Sequence, residues 1–167
     1  MKMQNTVRIL AGVALAALLS NRCHSAEETE PAVSMKDVPS AVKTTLKEYA
    51  KPEDVKKIEK GDQDGKSVYE FDIEQGTKKF ELTIAPDGKF QGTEEEIQLS
   101  DMPEAARKAL TDKAAGGKVE SAEKALDENK KITYEGVINK DGKKVEVAVD
   151  ANGKVVSTEE VKPGGGD

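Results

Sequence analysis

Two segments, Ser40-Ala-Val-Lys43 and Ser121-Ala-Glu-Lys124, place a lysine three residues after a serine. On one helical turn this spacing sets an amine beside a hydroxyl, the arrangement with which penicillin-binding enzymes activate a serine nucleophile. The companion Ser-Asp-Asn and Lys-Thr-Gly segments are missing from the sequence. With 6 serines and 22 lysines among the 141 residues after Ala26, about one such spacing arises by chance, so it carries no catalytic assignment. Asp62, Asp64 and the run Glu94-Glu95-Glu96 offer oxygen ligands for calcium. An EF-hand loop opened by Asp62 would need glycine at its sixth position and an acid at its twelfth. Gly65 falls too early and Ile73 stands at the twelfth, so Gly61-Asp-Gln-Asp-Gly65 reads as a polar turn. Neither a metal nor another cofactor is expected.

A third group is acidic. Glu70, Asp72 and Glu74 alternate with apolar residues, as do Glu81, Glu135 and Glu146. A carboxyl acts as general acid or base when burial lifts its pKa toward working pH. No apolar pocket is evident around these six, so they are expected to lie on a solvated face, and no catalytic residue is expected. That face is the candidate binding surface, attractive to a basic peptide or cationic surface through complementary charge.

The elements that would carry it begin after a leader. Lys2 and Arg8 precede the apolar run Ile9–Leu19, and the polar stretch Ser20–Ala26 follows. This is the three-part pattern of a secretory signal peptide over residues 1–26, its apolar run too short to span a bilayer. Cleavage after Ser25 leaves Cys23 and Ser25 at the −3 and −1 positions; cleavage after Ala26 is the alternative. Asn21 and Arg22 before Cys23 argue against lipid attachment to it. The expected compartment is therefore the periplasm or the exterior, with no lipid anchor. Loss of Lys2, Arg8 and Arg22, with no acid among the first 26 residues, moves the net charge from −6 to −9. Cys23 and His24, the sole cysteine and histidine, leave with the leader, which removes the usual transition-metal ligands. Arg107 is then the one arginine, so clustered phosphate contacts to a nucleic acid are not expected. No membrane contact is expected after cleavage, and the sequence does not fix an oligomeric state.

The remaining chain repeats itself. At an offset of 64 residues Val38-Pro39 lies on Met102-Pro103, Leu46 on Leu110 and Val55 on Val119. At an offset of 65 Tyr69-Glu70 lies on Tyr134-Glu135, Gly88-Lys89 on Gly153-Lys154, and Thr93-Glu94-Glu95 on Thr158-Glu159-Glu160. Val38, Val42, Leu46 and Tyr49 share one helical face, as do Met102, Ala106, Leu110 and Ala114. Strict alternation follows in Tyr69–Ile73, Phe80–Ile84 and Val145–Val149, the mark of strands with one buried face. Weaker strand signals lie near 55–60 and 119–124. Asp87-Gly88, Asp141-Gly142 and Asn152-Gly153 are hairpin signals in which both residues tolerate positive φ. The expected fold is α+β: two tandem repeats, 33–97 and 98–160, each a short helix on an antiparallel meander of three to four strands. Residues 27–32 are expected to form a flexible lead-in and 161–167 a flexible Gly-rich tail.

Ile132-Thr-Tyr-Glu135, Asp141-Gly142 and Val145–Val156, with Val38-Pro39, Tyr69–Ile73 and Ala85–Lys89 in the first copy, resemble a PepSY domain. The two-copy exported form is similar to the β-lactamase-inhibitor-like group of PepSY-like proteins. The resemblance spans 33–160 and implies a small, non-enzymatic binding or inhibitory module of the cell envelope or exterior, acting on a peptidase or another envelope protein. In that group two helix-plus-sheet repeats align their sheets into one target-gripping surface. The predicted face here offers glutamates and aspartate in place of the aromatic and arginine anchors of tight interfaces, which points away from β-lactamase as target. A second function class fits the same residues: an acidic structural or cation-buffering envelope protein with no dedicated partner.

Overall fold

A computed structural model describes residues 33–63 and 65–161. The expected leader with Cys23 and His24, the 27–32 segment, Asp64 and residues 162–167 lie outside the described residues.

The described residues form eight strands, most of them marked by alternating apolar residues: β1 Val55–Gln63, β2 Lys66–Gln75, β3 Lys78–Ile84, β4 Phe90–Glu96, β5 Lys118–Asp127, β6 Ile132–Lys140, β7 Lys143–Val149 and β8 Val155–Glu160. Each pairs antiparallel with its chain neighbours, in the order β1 to β8, as one sheet. The expected α+β pair of tandem helix-on-meander repeats is thereby overturned. β4 and β5 pair from Gly92↔Asp127 to Glu96↔Glu123, so no gap separates two meanders. The physical reason lies in the backbone. An isolated four-stranded meander would leave the outer N–H and C=O groups of β4 unpaired, and pairing with β5 satisfies them.

Among the described residues two α-helices, α1 Ser40–Tyr49 and α2 Glu104–Ala114, lie against one face of the sheet. Both start directly after a proline, whose lack of an N–H is harmless at a helix start. Val42 and Leu46 of α1 are buried with Tyr69, Phe71, Ile73, Leu82 and Ile84. Ala106, Leu110 and Ala114 of α2 are buried with Ala122, Ile138, Val147 and Val149. The second cluster is thinner because Gly136 stands beneath Leu110, where an added Cβ would sit 3.0 Å from the leucine Cδ1.

The hairpins refine the sequence reading. In Asp141-Gly142 both residues have positive φ, 54° and 80°, as a two-residue turn requires. In the other two, the glycine alone does, and the loops are longer because each must reach a helix. Gly88 (φ 90°) lies under Ala41 and Gly153 (φ 80°) under Ala105, where a Cβ would stand 2.9 Å and 2.5 Å from the respective carbonyl oxygens. Thr45 Oγ1 donates to Gly88 O at 2.6 Å, pinning that loop to α1.

A polar clasp joins the halves of the sheet on the helix side. Tyr49 and Phe90 stack with ring centroids 5.0 Å apart, and Lys130, from the β5–β6 turn, sets its ammonium 3.4 Å from the Phe90 centroid. Lys130 also donates to the Tyr49 hydroxyl, and Lys89 pairs with Glu128 of the same turn.

Candidate acidic binding face

Register places the side chains left over after the core is filled. In β2, Tyr69, Phe71 and Ile73 point to the helices, so Glu70, Asp72 and Glu74 point away. The cross-strand pairs carry this face across the sheet. Lys57, Asp72, Glu81 and Glu94 stand side by side on β1 to β4. Glu96, Glu123 and Glu135 do so on β4 to β6, and Glu146 stands beside Glu159 on β7 and β8. All six acids expected from the sequence therefore share the helix-free face. Glu59, Glu94, Glu96, Glu123 and Glu159 join them; sequence reasoning placed none of these five on the face and offered Glu94 and Glu96 only as calcium ligands. For Glu94 and Glu159 a signal existed, since both belong to the repeated Thr-Glu-Glu.

The expectation of a solvated face is corrected. None of the six is fully exposed, and Glu135 is buried, at 3% relative exposure. Opposed residues in a sheet stand about 5 Å apart at Cβ, so each carboxylate is walled in by neighbours on both flanking strands. Small buried residues, Thr83, Ala125, Thr133 and Ala148, lie between them on the same face.

Burial and mutual repulsion shift the carboxyl groups. Burial, reinforced by the charges of Glu70, Asp72, Glu123 and Glu59, pushes Glu81 up to about 7. Burial, then repulsion led by Glu135 and Glu81, pushes Glu94 up to about 9. Its Oε1 is buried without a hydrogen-bond partner. Glu135 and Glu146 are both raised, chiefly by burial, with a hydrogen bond between the two side chains; Thr133 Oγ1 donates to Glu135 Oε1 at 3.1 Å. Glu123 is raised by burial and then by the charges of Glu146 and Glu96. Burial likewise raises Glu70 and Asp72, with the adjacent Lys57 working against the rise at Asp72.

Cations serve the margins of the face. Lys57 pairs with Glu59 at 2.9 Å, and Lys79 with Glu74 at 3.2 Å. At the β5 bulge Lys144 pairs with Glu120 at 2.7 Å, and its hydrogen bond holds that carboxyl below its ordinary range. Among the described residues Glu81, Glu94, Glu123, Glu135 and Glu146 have no lysine or arginine partner in a salt bridge.

The other sequence candidates do not assemble. Ser40 and Lys43 lie on α1, but the Lys43 ammonium donates to Lys36 O. Ser121 and Lys124 lie on strand β5, where an odd spacing sends them to opposite faces. Asp62 Oδ1 accepts from Gly65 N–H at 2.8 Å, a local turn. Glu95 leaves its neighbours for the helix side and pairs with Lys78 at 3.2 Å. Among the described residues no three His, Cys, Asp or Glu side chains are placed to hold a metal ion.

No protein-family model matches the chain, and no curated protein matches it. Solved structures share its fold. A BLIP-like protein of Bacteroides fragilis NCTC 9343 superposes with a TM-score of 0.61 at 18% identity, covering 77% of this chain and 91% of its own. A candidate periplasmic protein of Bacteroides eggerthii DSM 20697 superposes with a TM-score of 0.62 at 15% identity, covering 74% and 88%. A DUF2874 family protein of Bacteroides ovatus ATCC 8483 reaches 0.60 at 14% identity, covering 73% and 86%. The chain thus has the fold of BLIP-like and DUF2874 proteins. Among the described residues no helix is long and apolar enough to cross a membrane.

Proposed function

We propose that this chain is a non-enzymatic binding protein of the periplasm that receives a basic segment of another protein or peptide on the helix-free face of its sheet. The observation that carries the reading is the juxtaposition of Asp72, Glu81, Glu94, Glu96, Glu123, Glu135 and Glu146 on one face, most of them without a cation in salt-bridge contact. A row of carboxyls that repel one another gains most when a ligand brings positive charge. Supporting it are the BLIP-like fold, the periplasmic description of a structural neighbour and the leader-like residues 1–26. PepSY-like resemblance extends the reading to a peptidase or other envelope protein as target.

An oligolysine peptide is a suitable probe. Its association should weaken with salt, strengthen as pH rises through 7, and release protons, since a bound cation lowers the raised carboxyl pKa values. The variant E70Q/D72N/E135Q/E146Q should bind more slowly and lose most of the salt dependence. Binding that ignores salt, pH and these substitutions would refute the proposal and move the contact to the helices or loops.

A further inference from the structure

The seam between β4 and β5 is built unlike the other ladders of the sheet. It is the one that no hairpin ties, and it runs for five residue pairs, Gly92↔Asp127 to Glu96↔Glu123. The apolar core does not bridge it. Val42 and Leu46 of α1 pack with residues of β1 to β4, and Ala106, Leu110 and Ala114 of α2 with residues of β5 to β8; among the described residues the two clusters share no member. On the helix side the seam is held by the stack of Tyr49 and Phe90 under Lys130, and Lys89–Glu128 is the one salt bridge that crosses it among the described residues. On the helix-free side every charged group that meets across the seam is an acid. Glu96 stands opposite Glu123, and Glu94 opposite Ala125, beside Glu123. From its own half Glu94 faces Glu96 along the strand, Glu81 on β3 and Asp72 beyond it on β2. From the other half it faces Glu123 and Asp127 on β5, Glu135 on β6 and Glu146 on β7. The cations paired on this face, Lys57, Lys79 and Lys144, stand on β1, β3 and β7 and are held by Glu59, Glu74 and Glu120.

From this opposition we infer that the seam is a pH-operated joint: it is closed while the carboxyls along it hold protons and opens as they ionise, each four-stranded half staying folded about its own helix. Opening separates Glu94 and Glu96 from Glu123 and Glu135 and lets water reach all four. The open form therefore binds protons less tightly and gains on the closed form as pH rises. Burial, then charge led by Glu135 across the seam, pushes Glu94 up to about 9, and Glu123 is raised as well, so the change accrues as pH climbs toward that value. Repulsion on one side and a clasp on the other make the clasp the hinge about which the halves part. Opening bares the N–H and C=O groups of the two facing strands and divides the acidic face in two.

The test is hydrogen exchange on the intact chain between about pH 6 and 8.5, read as protection factors so that the intrinsic pH dependence of exchange drops out. The bond from Ile97 N–H to Ala122 O sets the alternation at the seam, so the amides of Thr93, Glu95, Lys124 and Leu126 point into it. Their protection should fall with pH, by up to about tenfold per unit for each proton released, while that of the β2–β3 and β6–β7 ladders falls less. E94Q/E123Q should flatten the fall. D72N removes a carboxyl from the same face away from the seam and should leave the fall in place. K130M weakens the clasp and should move the fall to lower pH. Seam amides that keep pace with the other two ladders at every pH, an E94Q/E123Q chain as pH-dependent as the unmodified one, or a D72N chain flattened as much as E94Q/E123Q would overturn the inference.

Discussion

Replacing Glu94 with Gln should stabilise the fold at neutral pH and leave it unchanged in acid. In the folded chain burial among Glu135, Glu81, Glu123 and Glu146 pushes Glu94 up to about 9, from an ordinary carboxyl value of 4.5. A carboxyl whose folded pKa is raised binds its proton more tightly when folded. Its contribution to stability is complete below about 4.5 and is lost progressively as pH rises through about 9. Each pH unit in that window costs about 1.4 kcal/mol per such proton, so at pH 7 the ceiling is about 3 kcal/mol. Glutamine has the same shape and needs no proton. Because the Glu94 Oε1 already lacks a partner, the amide adds little new desolvation penalty. Urea unfolding at pH 5, 7 and 8.5 should show E94Q gaining on the unmodified chain with each step, by about 2–3 kcal/mol at pH 7. A difference that stays flat with pH, or one that shrinks as pH rises, would refute both the raised pKa and the crowding behind it.

Gly153→Ala should destabilise by about 2 kcal/mol or more, because it combines positive φ with a clash against Ala105 O. Gly142→Ala, with φ 80° but open space around it, should lose only about 1 kcal/mol in the same thermal melts. Hydrogen exchange on the intact chain should show β5–β8 opening before β1–β4. The first core buries Tyr69 and Phe71 where the second has Tyr134 half-buried and Gly136. Equal protection in both halves would mean that the shared sheet, and not aromatic content, sets local stability.

Much of the sheet was legible where one face is apolar. Tyr69, Phe71 and Ile73, and Val145, Val147 and Val149, announce their strands through period-two alternation, and that alternation sends Glu70 and Glu146 to the far face. β4 was hidden because Phe90-Gln-Gly-Thr-Glu-Glu-Glu96 carries no such pattern, and β5 showed only a weak signal near 119–124, so Glu94, Glu96 and Glu123 were not placed on the acidic face. For a different reason, fusion of the halves into one sheet was absent from the residue pattern; the resemblance alone implied aligned sheets. Pairing of β4 with β5 is a backbone ladder to which side-chain pattern contributes little. The raised carboxyl groups follow from that fusion. Alternation tells which way Glu94 points; how many glutamates flank it depends on which strands lie to either side.

Strand order has a kinetic consequence. Every ladder in the sheet joins strands adjacent in the chain, and the connections are short hairpins except for the 21 residues between Glu96 and Lys118 that carry α2. Contacts of short sequence separation close with little loop entropy, so such a topology folds fast for its strand content. Hairpins of this kind form in roughly 1–10 μs. A chain delivered N-terminus first can therefore complete β1 to β4 before β8 has emerged. The one ladder that must wait for a long connection to close is the seam between β4 and β5. Until it closes, β4 is an edge, and the strand best fitted to occupy it is the β5 of whichever chain arrives first.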